Sequence, residues 1–435
     1  MSKPAVPPEP PEASASPMSA APPTSSSTPP LVDANPWRSL VITTTVQAMV
    51  SMALLALPAV APAVAQALGV STTLVGLYVA VCYVAAMGAS LVGGTLVRRW
   101  GAIRVSQIGL LLCGLGMLLC ATAWWPAMVL GALCVGAGYG PITPASSHLL
   151  ALTTPAHRLS LVFSIKQTGV PLGGMLAGAL MPGLTLWLGW QGALALVALA
   201  CAGCVALAQP LRAALDADRQ PNQALAWRAL LGPVMMVLRH PSLRILAACS
   251  FLFSSVQVSV TAYLVTYLNV ALSMTLLAAG VALSVSQAAG VVGRIAWGAL
   301  ADRSLGPRRT LMLLAVLIVV GSLLLAALPV ATSTAWLWTV VALLGASAIG
   351  WNGVYLAAVA RQAPPGQAGV ATGGTLMFTF LGVVCGSPAF GALAAGSGSY
   401  RVAVGALAVP ALLALGLLIW RAVQAARDAR LDASK

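Results

Sequence analysis

Two side chains in this sequence carry charge where charge is hardest to keep. Lys166 lies inside the apolar run 160–183 and Arg294 inside the run 275–299. Lys166 follows Arg158 by eight residues and Arg294 precedes Asp302 by eight, so at 1.5 Å per helical residue each sits ~12 Å from its helix end. An ionisable group at that depth is a candidate functional group, because an unpaired buried charge is costly. The acidic residues are Glu9, Glu12, Asp33, Asp216, Asp218, Asp302, Asp428 and Asp432, and none falls inside an apolar run. The two cations therefore call for an anion that the chain does not supply. A carboxylate fits, since a guanidinium grips it as a planar fork and an ammonium attracts it as a point charge. The competing reading is that Lys166 snorkels or sits neutral, and that Arg294 bonds loop carbonyls or reaches Asp302.

Uncharged polar residues lie on coherent faces around these cations. Ser250, Ser254, Gln257 and Thr261 step by four, three and four, which makes one helical stripe, and Tyr139, Thr143 and Ser146 do the same. Gln287 stands two turns from Arg294, and Trp351, Asn352 and Tyr355 cluster on another run. Tyr139, Gln257, Gln287, Trp351 and Asn352 are expected to share a solute site with Lys166 and Arg294. The alternative for each is interhelical glue, worth about 0.6 kcal/mol.

The elements that hold these side chains follow from composition. The chain is 59% hydrophobic and 7% charged, with a mean hydropathy of +0.94, so most of it requires lipid as solvent. Twelve apolar runs, each close to the ~20 residues that span a bilayer, lie between Leu40 and Arg421. The formal charge of +14 sits almost wholly between runs and on alternate loops. This is the positive-inside bias rather than a nucleic-acid surface, and it places both termini in the cytoplasm. Residues 1–36 are rich in Pro, Ala and Ser and are expected to be a disordered cytoplasmic tail without the apolar core of a signal peptide. The eight cysteines all lie in apolar runs, so Cys201 and Cys204 read as packing residues rather than a metal or redox pair.

The chain also repeats itself. Six runs fill 37–210, a polar linker with an amphipathic end fills 211–242, six more runs fill 243–423, and a tail follows from 424 to 435. Landmarks recur: GGTLVRRWGAIR from Gly93 matches GALADRSLGPRR from Gly298, and Gly138-Tyr139-Gly140 matches Gly350-Trp351-Asn352.

The stretch Gly298–Arg309 resembles the cytoplasmic loop signature of the major facilitator superfamily, with one extra residue before Gly306. The resemblance implies an all-α membrane protein of twelve helices in two six-helix pseudo-repeats that rock against each other. It also implies that Gly298, Asp302, Arg303 and Arg308, with Gly94 and Gly101 of the first copy, take part in gating. In that first copy Arg98 holds the aspartate position. The Arg294 to Asp302 spacing is similar to helix 8 of monocarboxylate carriers and oxalate/formate exchangers, whose arginine binds the substrate carboxylate. The first run, LVITTTVQAMVSMALL, lacks the acid of the monocarboxylate carriers. Gly169-Val-Pro171-Leu-Gly173-Gly174 resembles the glycine-proline element of drug/proton antiporters with one residue too few.

These features point to a secondary transporter of a small organic anion in the plasma membrane, a bacterial inner membrane, with a proton or a counter-transported anion as its partner. A drug or metabolite exporter is the alternative within transport, and a receptor or scaffold is the alternative outside it. No enzyme, metal or cofactor site is expected, because the runs offer no carboxylate or histidine cluster, and no GxxxxGK[ST] loop is present.

Overall fold

The structure is a computed structural model describing residues 36–154, 162, 165–222, 232–330, 332–364 and 368–433. The expected disordered tail, up to residue 35, and the first part of the amphipathic segment, 223–231, lie outside these residues. Within them the chain is helical, with no strand among the described residues. Ten helical stretches are long and apolar enough to cross a bilayer, and two of these, Ile165–Leu215 and Leu276–Ala327, span 51 and 52 residues. Each of the two is folded back on itself, the first at Gly189 (φ +71°) and the second at Gly306 (φ +74°). The result is twelve crossings.

In order they are Pro36–Ala59, Val75–Trp100, Ala102–Ala121, and Trp125–Tyr139 continued by Ile142–Thr153. The fifth and sixth share Gly169–Ala208. The second half runs Pro241–Ala271, Leu276–Leu300, Gly306–Ala327, and Thr334–Ala348 continued by Asn352–Gln362. Ala368–Ser397 and the pair Tyr400–Ala406 and Ala408–Ala433 complete it. The last helix thus runs on through most of the segment expected as a tail.

Both halves are built alike. The first helix packs against the fifth so closely that a β-carbon on Gly173 would collide with the Ala48 carbonyl oxygen. The seventh meets the eleventh in the same way, with Gly382 against the Phe251 oxygen. Small residues allow this approach where lipid gives no hydrophobic drive between helices. The fourth and tenth helices are both interrupted, at Gly140–Pro141 and at Ile349–Trp351, the positions that the repeat makes equivalent. Trp124, Trp125, Trp187 and Trp336 are exposed near helix ends, as suits side chains at a membrane surface, whereas Trp190 is buried in the core.

The halves meet along two seams, second helix on eleventh and fifth on eighth. At the end remote from the basic loops, the Tyr263 hydroxyl donates to the Thr73 carbonyl at 2.6 Å, and Thr72 and Tyr400 share a 2.6 Å bond. Further along, Ser284 donates to the Met175 carbonyl at 2.8 Å.

Candidate functional site

The site is set by breaks in helices. Pro171 has no N–H, so the carbonyl of Gln167, four residues earlier, has no helical donor. The helix turns at Thr168, whose N–H reaches back to Ile165 at 3.0 Å. Arg294 takes the freed carbonyl across the seam, with Nη1 donating to Gln167 O at 2.8 Å. Its Nε donates at 3.2 Å to the carbonyl of Ile349, at the interruption of the tenth helix. One guanidinium therefore ties the fifth, eighth and tenth helices together across the two halves.

A chain of hydrogen bonds runs on from that carbonyl. Asn352 Nδ2 donates to Ile349 O at 3.4 Å and to Gln257 Oε1 at 3.1 Å, and Trp351 Nε1 donates to the same Gln257 oxygen at 2.9 Å. Phe253 and Tyr355 flank the buried Trp351 ring, with centroids 5.5 and 5.2 Å away. Three residues expected together from sequence, Gln257, Trp351 and Asn352, thus form one unit linked to a fourth, Arg294.

Lys166 is the residue before Gln167. Its side chain is 1% exposed, and its Nζ has no hydrogen-bond partner among the described residues. The carbonyl of its chain neighbour Gln167 holds Arg294, which brings both cations to the same point of the seam. One turn further on, Gly169 packs on the first helix at Thr44 and Gln47, whose Oγ1 and Oε1 are also buried without partners among the described residues. Tyr139 leans on Tyr83 at 5.9 Å, which in turn meets Phe380 of the other half at 6.1 Å. Gln287 is buried in the seam, its amide filling the space beside Gly174. An ammonium with no acceptor among the described residues, beside a guanidinium held by neutral carbonyls, makes this part of the seam strongly positive and rich in donors. Among the described residues no His, Cys, Asp and Glu cluster could hold a metal.

The profile of the Major Facilitator Superfamily matches residues 40–387. The chain belongs to this superfamily. Solved structures agree in fold: a point mutant of the nucleoside transporter NupG superposes with a TM-score of 0.70 at 17% identity, over 88% of this chain and 97% of that one. A bacterial homolog of the human lysosomal transporter Spinster, inward-facing and occupied, gives 0.71 at 14%, over 89% and 97%. A POT family transporter in complex with a thioalcohol-conjugated peptide gives 0.72 at 13%, over 90% and 96%. Comparison with the curated proteins finds no match. The chain is a multi-pass membrane transporter, and at these identities the likeness carries the fold alone.

In this superfamily member the loop signature forms a π-helical turn, Ala301–Leu305, where Asp302 pairs with Arg361 of the tenth helix at 3.2 Å, both side chains exposed. Arg303 is exposed and Arg308 half-buried, while Gly94 and Gly298 have no atom within 4 Å of a would-be β-carbon. Gly101 differs: its φ is +96°, and a β-carbon there would collide with the Asp216 carboxylate. Sequence reasoning passed over Asp216 as a loop acid. Its carboxylate accepts from the N–H groups of Ile103 and Arg104 at 2.8 and 3.0 Å, so the linker caps the third helix. Nearby, Asp218 binds His148 at 2.6 Å and the Gln220 N–H reaches Arg98 O at 2.6 Å. The spacing of linker acids from Leu211 was the available signal, but their partners are mostly backbone groups that no spacing reveals.

Proposed function

We propose that this transporter carries a small organic anion, of the carboxylate kind, by alternating access between its two halves. One observation carries the reading: Lys166 is buried with no acceptor among the described residues, next to the Gln167 carbonyl that holds Arg294, in a chain whose apolar runs contain no acid. An anionic solute removes that imbalance when it binds and restores it when it leaves. Lys166 and Arg294 are then the anion's seat, with Gln257, Tyr139, Trp351 and Asn352 around it. The similarity of the Arg294–Asp302 spacing to monocarboxylate and oxalate/formate carriers supports the same class. The excess of Arg and Lys on alternate loops supports a cytoplasmic linker and cytoplasmic termini, in a plasma membrane of the bacterial inner type. Without a membrane carboxylate to carry protons, coupling falls to exchange of anions or to a proton that travels with the solute. Asp302, paired with Arg361, serves the switching of the halves.

Counterflow of labelled carboxylates in proteoliposomes tests the proposal, together with thermal stabilisation of the purified protein by carboxylates and by organic cations. Carboxylates are expected to stabilise and exchange; preferential stabilisation by cationic drugs would establish an exporter of another class instead.

A further inference from the structure

Within the anion-carrier reading, on which this inference rests, we propose that Gln257 is a specificity-determining residue that reads a second hydrogen-bond acceptor on the solute. The transported acid then carries, besides its carboxylate, an acceptor such as a further carboxylate or an oxo group.

The argument starts from the indole of Trp351, which can only donate. Its Nε1 lies 2.9 Å from one polar atom of the Gln257 amide, and that atom must be the oxygen. Asn352 Nδ2 occupies the same oxygen at 3.1 Å, which fills both of its lone pairs. Gln257 accepts nothing further. Its Nε2 points the other way with two N–H groups, and among the described residues it donates to none; the side chain is partly exposed. A tie between the seventh and tenth helices explains the oxygen but leaves the nitrogen without a role.

Position gives that nitrogen a role. Three consecutive hydrogen bonds of 3.1, 3.4 and 3.2 Å lead from Gln257 Oε1 through Asn352 and Ile349 O to Arg294 Nε, so the two lie at most about 10 Å apart. A short solute with its carboxylate at Arg294 and Lys166 can therefore reach Gln257. The end it presents there meets the two unused N–H groups of the Gln257 amide. An acceptor is bonded, a methyl leaves two N–H groups unmet, and an ammonium opposes donor with donor. Sites built to bond a polar group reject analogues that lack it.

The test uses the full-length purified protein and three probes of one carbon skeleton, butanoate, succinate and 4-aminobutanoate, with the three- and five-carbon series run alongside. For the wild type, succinate or its homologue is expected to bind at least tenfold more tightly than the methyl-ended acid, with the amino acid weakest. Gln257→Glu keeps an oxygen for Trp351 and Asn352 but turns the free N–H groups into a second oxygen. It should cost the diacid at least tenfold and favour the amino-ended acid, with the melting temperature as the folding control. Equal binding of methyl- and carboxylate-ended acids, unchanged in Gln257→Glu, overturns the role of Gln257 and leaves the anion seat standing. Failure of every acid at every length removes the seat itself, and this inference with it.

Discussion

A lysine ammonium shut away from water without an acceptor is destabilising, and its removal separates a structural role from a solute-binding one. Lys166→Met keeps the length of the side chain and deletes the charge. Replacing buried ion pairs with apolar side chains of similar volume is often neutral or stabilising by about 1–4 kcal/mol, and a lone buried charge has no pair attraction to lose. Lys166→Met is therefore expected to melt at a higher temperature than the wild type while losing stabilisation by carboxylates; a lower melting temperature would mean that the ammonium has a structural partner. Arg294 is bound differently, because its fork already holds two carbonyls from opposite halves. A lysine cannot reach both, and a hydrogen bond to a charged group is worth about 1.5–3 kcal/mol. Arg294→Lys should thus lower counterflow at least tenfold although charge is kept, and wild-type rates would show that the bridge is dispensable. Both cations were legible in the sequence because charge stands out against an apolar run. The carbonyls that Arg294 holds were not, since backbone acceptors become visible only once the break that frees them is recognised. Pro171, four residues after Gln167, was the clue.

At the scale of the helix, the ends carry the information. Asp216 caps the third helix from the linker, and its carboxyl is pushed above the usual carboxylate range by burial, against the two backbone N–H groups that pull it down. An acid raised on folding binds its proton more readily in the folded protein, so the charged form is a liability once pH passes the folded value and the penalty fades as pH falls. Asp216→Asn removes the charge but keeps only one of the two accepting oxygens, its NH2 then facing one of the backbone N–H groups. In thermal melts across pH the wild type should therefore gain on this variant as pH falls, because only the wild type sheds a charge penalty on protonation. Asp216→Ala should lose about 1 kcal/mol with the cap. Gly101 sits under the same carboxylate at positive φ, so Gly101→Ala should be clearly destabilising whereas Gly94→Ala should not, as thermal melting of the two variants will show. The twelve spans could be read from hydropathy, and the repeat marked Gly138–Gly140 and Gly350–Asn352 as equivalent without revealing that the fourth and tenth helices break there. The docked linker could not, because the caps it supplies are addressed to main-chain N–H groups.

For the whole molecule, the question is what holds the halves together at the end remote from the basic loops. Two polar ties are in place there, Tyr263 to the Thr73 carbonyl and Thr72 to Tyr400, and both connect the halves. Gly76 makes room for them: a β-carbon on it would collide with the Tyr263 hydroxyl and lie 2.5 Å from the Ser387 carbonyl oxygen. Alternating access requires this end to open, so its ties must be strong enough to seal and weak enough to yield. A hydrogen bond contributes about 1 kcal/mol net, which corresponds to roughly a fivefold shift between two states. Tyr263→Phe and Tyr400→Phe each remove one tie and keep the ring packing on Phe390, whose centroid lies 4.5 Å from Tyr263 and 6.5 Å from Tyr400. Ser387 is buried at this seam, so a cysteine in its place, in a background without the native cysteines, reports opening through its rate of maleimide labelling. The rate is expected to rise about fivefold in either phenylalanine variant and further in the double variant. Saturating anion should restore slow labelling if the solute favours closure on this side, which links the seal to the charges at Lys166 and Arg294. Labelling at the parent rate in both variants, with transport intact, would mean that the close backbone approach at Gly76 seals this end and that the tyrosine ties do not.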